Sequence, residues 1–300
     1  MKKILTLLAF VAVVAATFTS CKPDDEIYDP KCKISKIWYR SDVYAPNEVY
    51  NYDDKGVLTS ITIDSAETFD FSYNKDKTVA RIVHKGEFYT ETIDMTYTDR
   101  LVDKMVYMVE DTVRQEIVFQ RDEETTRITK VEETYDKAFF DRYYVIYRSK
   151  LYDAFFGNIK EVHDMAKNSQ SKDMRIHCTK TIKYAPGKRE KYNNIETIEE
   201  DYPDLRQVIT RTYTYDTLSY NPFYGLQYAY ADMAGYYLNN KKTEKEVVRT
   251  AGMVTREVTT TYSYEGEHYM NDKKYPRQFI TMSSENNNVP IHTYILYLKK

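Results

Sequence analysis

Glycine and proline are scarce in these 300 residues, eight of each, and there are only three cysteines and one tryptophan. With 42% hydrophobic and 15% aromatic residues, that poverty excludes a collagen-like or low-complexity chain and a disordered one. Three cysteines exclude a disulfide scaffold, and no CxxC pairing with His offers a zinc-site spacing. Neither sign of charge dominates. Lys+Arg 43 against Asp+Glu 46 leaves −3, which favours no nucleic acid and no anionic surface as partner. After Phe18 no apolar run approaches the roughly 20 residues of a membrane-spanning helix. What is abundant is tyrosine, 31 residues, a side chain with an apolar body and a polar tip that suits half-exposed strands.

Met1-Lys2-Lys3 is a short basic region, followed by an uncharged run from Ile4 to Phe18 and then Thr19-Ser20-Cys21-Lys22-Pro23. That run is too short to span a bilayer and has the grammar of a signal peptide over residues 1–20. Small residues before Cys21 resemble the lipobox of bacterial lipoproteins, with Phe18 where Leu is usual, as in the looser lipoboxes of Bacteroidota. The resemblance implies acylation of Cys21 and a membrane held through that lipid. Lys22, Asp24, Asp25 and Glu26 look like the acidic tether that sends such lipoproteins to the outer face of the outer membrane. Residues 21–35 are thus expected as an anchored tether and 36–300 as a single β domain. Cys32 and Cys178 either pair, stapling the tether to the domain, or remain two free thiols.

A shift of 21 lays Tyr50, Tyr52, Asp53, Gly56, Leu58 and Ile61 on Phe71, Tyr73, Asn74, Lys77, Val79 and Ile82. Weaker copies begin at Met95 and Ile117, so the chain is built of repeats of about 21–24 residues. Each unit reads strand, turn, strand, with Gly56 at a left-handed position and Lys77 standing at the equivalent place. Tyr52-Asp53 with Gly56, and Tyr152-Asp153 with Gly157, resemble the YD repeats of Rhs-type proteins. Degenerate openings recur at Tyr135-Asp136, Tyr215-Asp216 and Tyr262 to Gly266. The chain is similar to a broad group of Bacteroidota surface lipoproteins with degenerate YD-like hairpins and an Asn221-Pro222-Phe223-Tyr224-Gly225-Leu226 segment ahead of Asn239-Asn240. No activity comes with that likeness.

The expected fold is all-β: an extended antiparallel meander of long hairpins in one large twisted or curled sheet system, an open half-barrel or a sandwich. Leu151, Phe155, Ile159, Val162 and Ala166 fall at helical spacing, but Gly157-Asn158 between them favours a hairpin over 151–167. At most one short helix is expected, near 224–237, where Leu226, Tyr230, Met233 and Tyr237 recur at helical spacing.

No nucleophile elbow or HExxH occurs, and His84, His163, His177, His268 and His292 are isolated. On a strand, His177 and Cys178 would point to opposite faces. Glu199-Glu200-Asp201 and Asp53-Asp54 read as solvated charge. No catalytic or metal-binding residue and no cofactor is therefore expected. The function read from anchor, tether and Tyr-rich strands is a non-enzymatic cell-surface lipoprotein that binds an extracellular glycan or protein on a Tyr-rich sheet face. The alternatives are a structural envelope component and a hydrolase of polysaccharide or peptide.

Overall fold

The computed structural model describes residues 32–39, 45–87, 89–142, 149–186, 194–264, 270–271 and 274–298. Its strands are β1 Ile34–Trp38, β2 Glu48–Tyr52, β3 Leu58–Ile63, β4 Glu67–Tyr73, β5 Val79–Lys85, β6 Thr90–Thr98, β7 Leu101–Val109 and β8 Thr112–Arg121. They continue with β9 Ile128–Asp136, β10 Arg175–Tyr184, β11 Ile195–Tyr202, β12 Gln207–Tyr220, β13 Asn239–Thr250, β14 Met253–Ser263, β15 Gln278–Ser283 and β16 Ile291–Tyr297. Each pairs antiparallel with the next, and β1 also pairs with β16, Ile37 opposite Ile295.

The sheet therefore closes into a 16-stranded barrel, which corrects the expected open half-barrel or sandwich. The closing pair joins opposite ends of the chain, and β1 begins at Ile34, inside the stretch expected as tether. Closure leaves no strand edge for another chain to extend.

The two-residue side-chain period divides the wall into an inner and an outer face. On β8, Gln115, Ile117 and Phe119 are buried inward, whereas Arg114, Glu116, Val118 and Gln120 face out. Cross-strand ion pairs stud the outside: Arg81–Asp94 at 2.6 Å, Lys104–Glu116 at 2.6 Å and Lys245–Glu257 at 2.8 Å. A barrel that crosses a membrane needs an outward apolar band, and each Lys or Arg on the lipid face near the midplane costs about 2–4 kcal/mol. These pairs put charge on that outer face. Among the described residues no helix is long and apolar enough to cross a membrane.

Sixteen strands enclose more space than wall side chains can fill. Two connections enter from opposite ends and occupy it. Between β9 and β10 come α1 Lys137–Arg142, α2 Lys150–Phe155 and α3 Ile159–Asn168. These helices correct the hairpin expected over 151–167. The helical stripe prevails because Leu151, Phe155, Ile159, Val162 and Ala166 are all buried against the barrel. Ser149 caps α2 by accepting from the Tyr152 amide at 2.9 Å, and Asn158, read as a hairpin turn residue, caps α3.

From the other end, residues 221–238 fold back into the lumen without an α-helix, forming only a short 3₁₀ segment at Ala231–Tyr236. Asn221 Nδ2 donates to the carbonyls of Ala234 and Tyr237, and Asn239 and Asn240 hold Ser219 and Tyr220. Gly235 is required by close approach, since a Cβ there would lie 2.0 Å from the Leu226 carbonyl oxygen. The two insertions meet inside, with Phe155 and Tyr228 ring centroids 5.9 Å apart.

The first two repeat units are equivalent hairpins. Gly56 has φ +75° and Lys77 φ +70°. A register shift beside Tyr52 lets Leu58 and Ile61, three apart, both point inward, and one beside Tyr73 does the same for Val79 and Ile82. The Tyr hydroxyls tie each unit to its predecessor: Tyr52 donates to the Ile34 carbonyl at 2.8 Å and Tyr73 to that of Leu58 at 2.7 Å. Tyr215 and Tyr297 make the same kind of bond, to Ile195 and Pro276.

Candidate functional site

Most described tyrosines face the interior, so the Tyr-rich sheet face is the inner one. Tyr107, Tyr135, Tyr152, Tyr202, Tyr213, Tyr228 and Tyr230 are all buried. The inner face of β9–β13 carries an unbroken ionic run. Glu133, Lys180, Glu200, Arg211 and Glu246 come from five successive strands and alternate in sign around the lumen.

Lys180 Nζ lies 2.9 Å from Glu133 and 3.4 Å from Glu200. Arg211 bonds Glu200 through Nη1 and Glu246 through Nη2, the latter at 2.8 Å. Hydroxyls of Tyr135 and Tyr230 donate to Glu133, and that of Tyr202 to Glu200 at 3.1 Å. Burial pushes the Glu200 carboxyl up, but Arg211 and Lys180 outweigh it and bring it to about 2. Burial works to lower the Lys180 pKa; Glu133 and Glu200 reverse that and hold it well above the ordinary value.

This wall borders a half-open cavity of about 610 Å³, lined on its other sides by the α2–α3 link and by residues 230–233. Asp153, Asn158 and Glu161 from the link are themselves exposed, and the protein around Asp153 and Glu161 raises both carboxyls, chiefly by keeping water away. Asp232 and Met233 carry φ of +54° and +52° outside any hairpin turn. Non-Gly residues in such backbone store roughly 1–3 kcal/mol each and cluster at ligand clamps.

Asp232 is exposed and lines the cavity. Among the described residues, neither Asp232 nor Glu161 has a side-chain hydrogen-bond or ion-pair partner. The arrangement can hold a small ligand by aromatic faces and carboxylate oxygens. The carboxylates Glu133 and Glu200 are already committed to cations and phenols, which leaves them no role as acids.

A second buried cluster ties the wall to α2. His84 lies 2.9 Å from Glu91 and 2.7 Å from Glu67, Tyr107 donates to Glu91 at 2.6 Å, and Ser149 donates to the same carboxylate. Burial works against a charged imidazole here, but the two glutamates prevail and raise the His84 pKa.

Cys21, Lys22, Asp24, Asp25 and Glu26 lie outside the described residues. Cys32 and Cys178 are both free, Cys178 buried in the wall and Cys32 beside Asn271. His177 faces out and Cys178 in. Glu200, read with Glu199 and Asp201 as solvated charge, is buried while its two neighbours are exposed. Its signal was the inward stripe Ile198-Glu200-Tyr202, an acid in phase with apolar residues. Among the described residues no group of His, Cys, Asp and Glu could hold a metal ion.

No family model matches the chain, and no curated protein matches it in sequence. Among solved structures it is similar to a porin-like protein from Bacteroides uniformis, at 13% identity and TM-score 0.36 over 88% of this chain and 96% of that one. A porin-like protein from Bacteroides vulgatus gives 9% identity and TM-score 0.45 over 89% and 100%. A chain of the TcdB2-TccC3-Cdc42 structure gives 12% identity and TM-score 0.35 over 84% of this chain and 12% of that one. Every one of these TM-scores is below 0.5, too low to define a shared fold.

Proposed function

We propose that this is a non-catalytic binding barrel, anchored by acylated Cys21 in an outer membrane and displayed on the cell surface by the tether with Lys22, Asp24, Asp25 and Glu26. The ligand is a small molecule seated in the lumen, since about 610 Å³ is the scale of a small-molecule site and admits no folded partner. The observation that carries this reading is the hollow beside the ionic wall. Against β3–β8 the two insertions pack Phe155, Leu226 and Tyr228 onto the wall. Beside Glu133, Lys180, Glu200 and Arg211 they stop short and place strained, unpartnered Asp232 at its border.

The anchor is tested by Cys21→Ala, which should release the protein from membranes; continued association after washing would contradict it. Replacing Asp24, Asp25 and Glu26 by Ala should protect the protein from protease added to whole cells. The site is tested by Ala231→Trp, which fills the cavity. Ligands found by titration with small amines, sugars and peptides should no longer bind to that variant at unchanged melting temperature. If no class binds the unaltered protein better than about 1 mM, the binding reading falls.

A hydrolase remains the second reading on one observation, the raised carboxyls of Asp153 and Glu161 at the same cavity. Recovery of a bound sugar or peptide in cleaved form would favour it.

A further inference from the structure

We infer that the cavity selects an organic cation, a small amine whose ammonium group sits among Asp232, Glu161 and the tyrosine faces; this rests on the binding-barrel reading above.

Two cations and five carboxyls line the space: Lys180 and Arg211 against Glu133, Glu200, Asp153, Glu161 and Asp232. The cations are spent, Lys180 on Glu133 and Glu200, Arg211 on Glu200 and Glu246. Of the further cations on this wall, Lys241 is held by Glu244 at 2.9 Å, and Arg256 by Glu246 at 3.2 Å and Glu285 at 2.8 Å. No positive charge is left to receive an anion. Asp153 has its carboxylate on the Ile159 amide at 2.8 Å, so Asp232 and Glu161 are the acids with free oxygens. A site lined by more carboxylates than cations draws cations, and aromatic faces strengthen that attraction.

The protein already uses such contacts on the same wall. The Lys180 ammonium lies 5.1 Å from the Tyr230 ring centre, and that of Lys241 lies 4.6 Å from Tyr213 and 5.5 Å from Tyr237. Tyr213 and Tyr230 border the cavity, beside Tyr152 and Tyr202. A ligand ammonium would therefore meet surroundings these side chains already provide for lysine.

Isothermal titration of the purified full chain with glucosamine, glucose and glucuronate compares one ring carrying positive, no and negative charge. Cadaverine and spermidine extend the series. The amines should bind at least tenfold tighter than glucose, glucuronate should not bind, and amine affinity should fall as salt is raised. Asp232→Asn should weaken amine binding about tenfold at unchanged melting temperature, because Asn tolerates left-handed backbone. Glu161→Gln gives an independent second reading of the same loss.

Equal or better binding of glucose or glucuronate would overturn the cation inference and leave the binding barrel standing. Amine binding untouched by both substitutions would also overturn it. Failure of every probe would remove both.

Discussion

The two halves of the barrel wall solve the same packing problem in opposite ways. Strands β2–β8 turn Ile61, Phe69, Ile82, Ile93, Met105, Ile117 and Phe119 inward, and the insertions press Phe155, Tyr228 and Leu226 against that apolar half. Strands β9–β13 turn Glu133, Lys180, Glu200, Arg211 and Glu246 inward, and the insertions leave a cavity there. Apolar packing alone would stabilise either half. Buried ion networks are commonly no better than hydrophobic residues of similar size, and often worse by about 1–4 kcal/mol. A wall that keeps such a network beside a hollow gives up stability for a polar surface, which is why the proposed binding site lies in that half.

The largest effects should come from breaking each half. Phe155→Ala removes a ring that contacts Phe69, Phe71 and Tyr228, and should lower stability by about 3–5 kcal/mol in denaturant unfolding. Glu200→Ala removes the carboxylate that Lys180 and Arg211 share, leaving Lys180 with Glu133 and Arg211 with Glu246, and should cost up to about 3–5 kcal/mol.

Removing the network as a unit separates the halves. Glu133→Gln, Lys180→Met, Glu200→Gln, Arg211→Met and Glu246→Gln combined should leave the melting temperature level or higher while abolishing ligand binding. The polar cluster of the other half, His84 with Glu67, Glu91, Tyr107 and Ser149, ties the wall to α2, and none of its members lines the cavity. A collapse of the fivefold variant would mean that the ionic wall is there for folding.

Smaller effects probe the hairpins and the His84 cluster. Gly56→Val forces a β-branched residue into left-handed backbone and should cost about 1–2 kcal/mol. His84 has a folded pKa raised above 6.5, so its contribution is fully present below pH 6.5 and is lost as pH rises through the folded value. The melting temperature should therefore decline over that window, and His84→Gln should flatten the decline. A slope unchanged in His84→Gln would assign the pH dependence elsewhere.

The same contrast governs what the sequence reveals. The hairpins of β2–β5 are legible because Tyr52, Asp53 and Gly56 repeat as Tyr73, Asn74 and Lys77, a local pattern fixed by turn chemistry. Closure is not, since Ile37 finds Ile295 only through the accumulated twist and tilt of fourteen intervening strands. The α2–α3 segment carries two signals, a helical stripe and a Tyr-Asp-to-Gly turn pattern. The lumen of a wide barrel decides between them, because it needs bulk and offers no strand to pair with.

The ionic wall is legible only in part. Glu200 between Ile198 and Tyr202 is in phase with inward residues, yet an acid in a strand reads as solvated until its partners on β10 and β12 are known. Asp232 had no signal at all, since its backbone conformation is imposed by the fold of residues 221–238 around Gly235.

Co-crystallisation of the protein with glucosamine or spermidine tests the central claim most directly. The account predicts bound ligand inside the barrel, its nitrogen within hydrogen-bond distance of Asp232 or Glu161 and beside the ring of Tyr213 or Tyr230. Ligand bound only on the outer face of the strands, with the cavity beside Glu133, Lys180, Glu200 and Arg211 holding water alone, would contradict it.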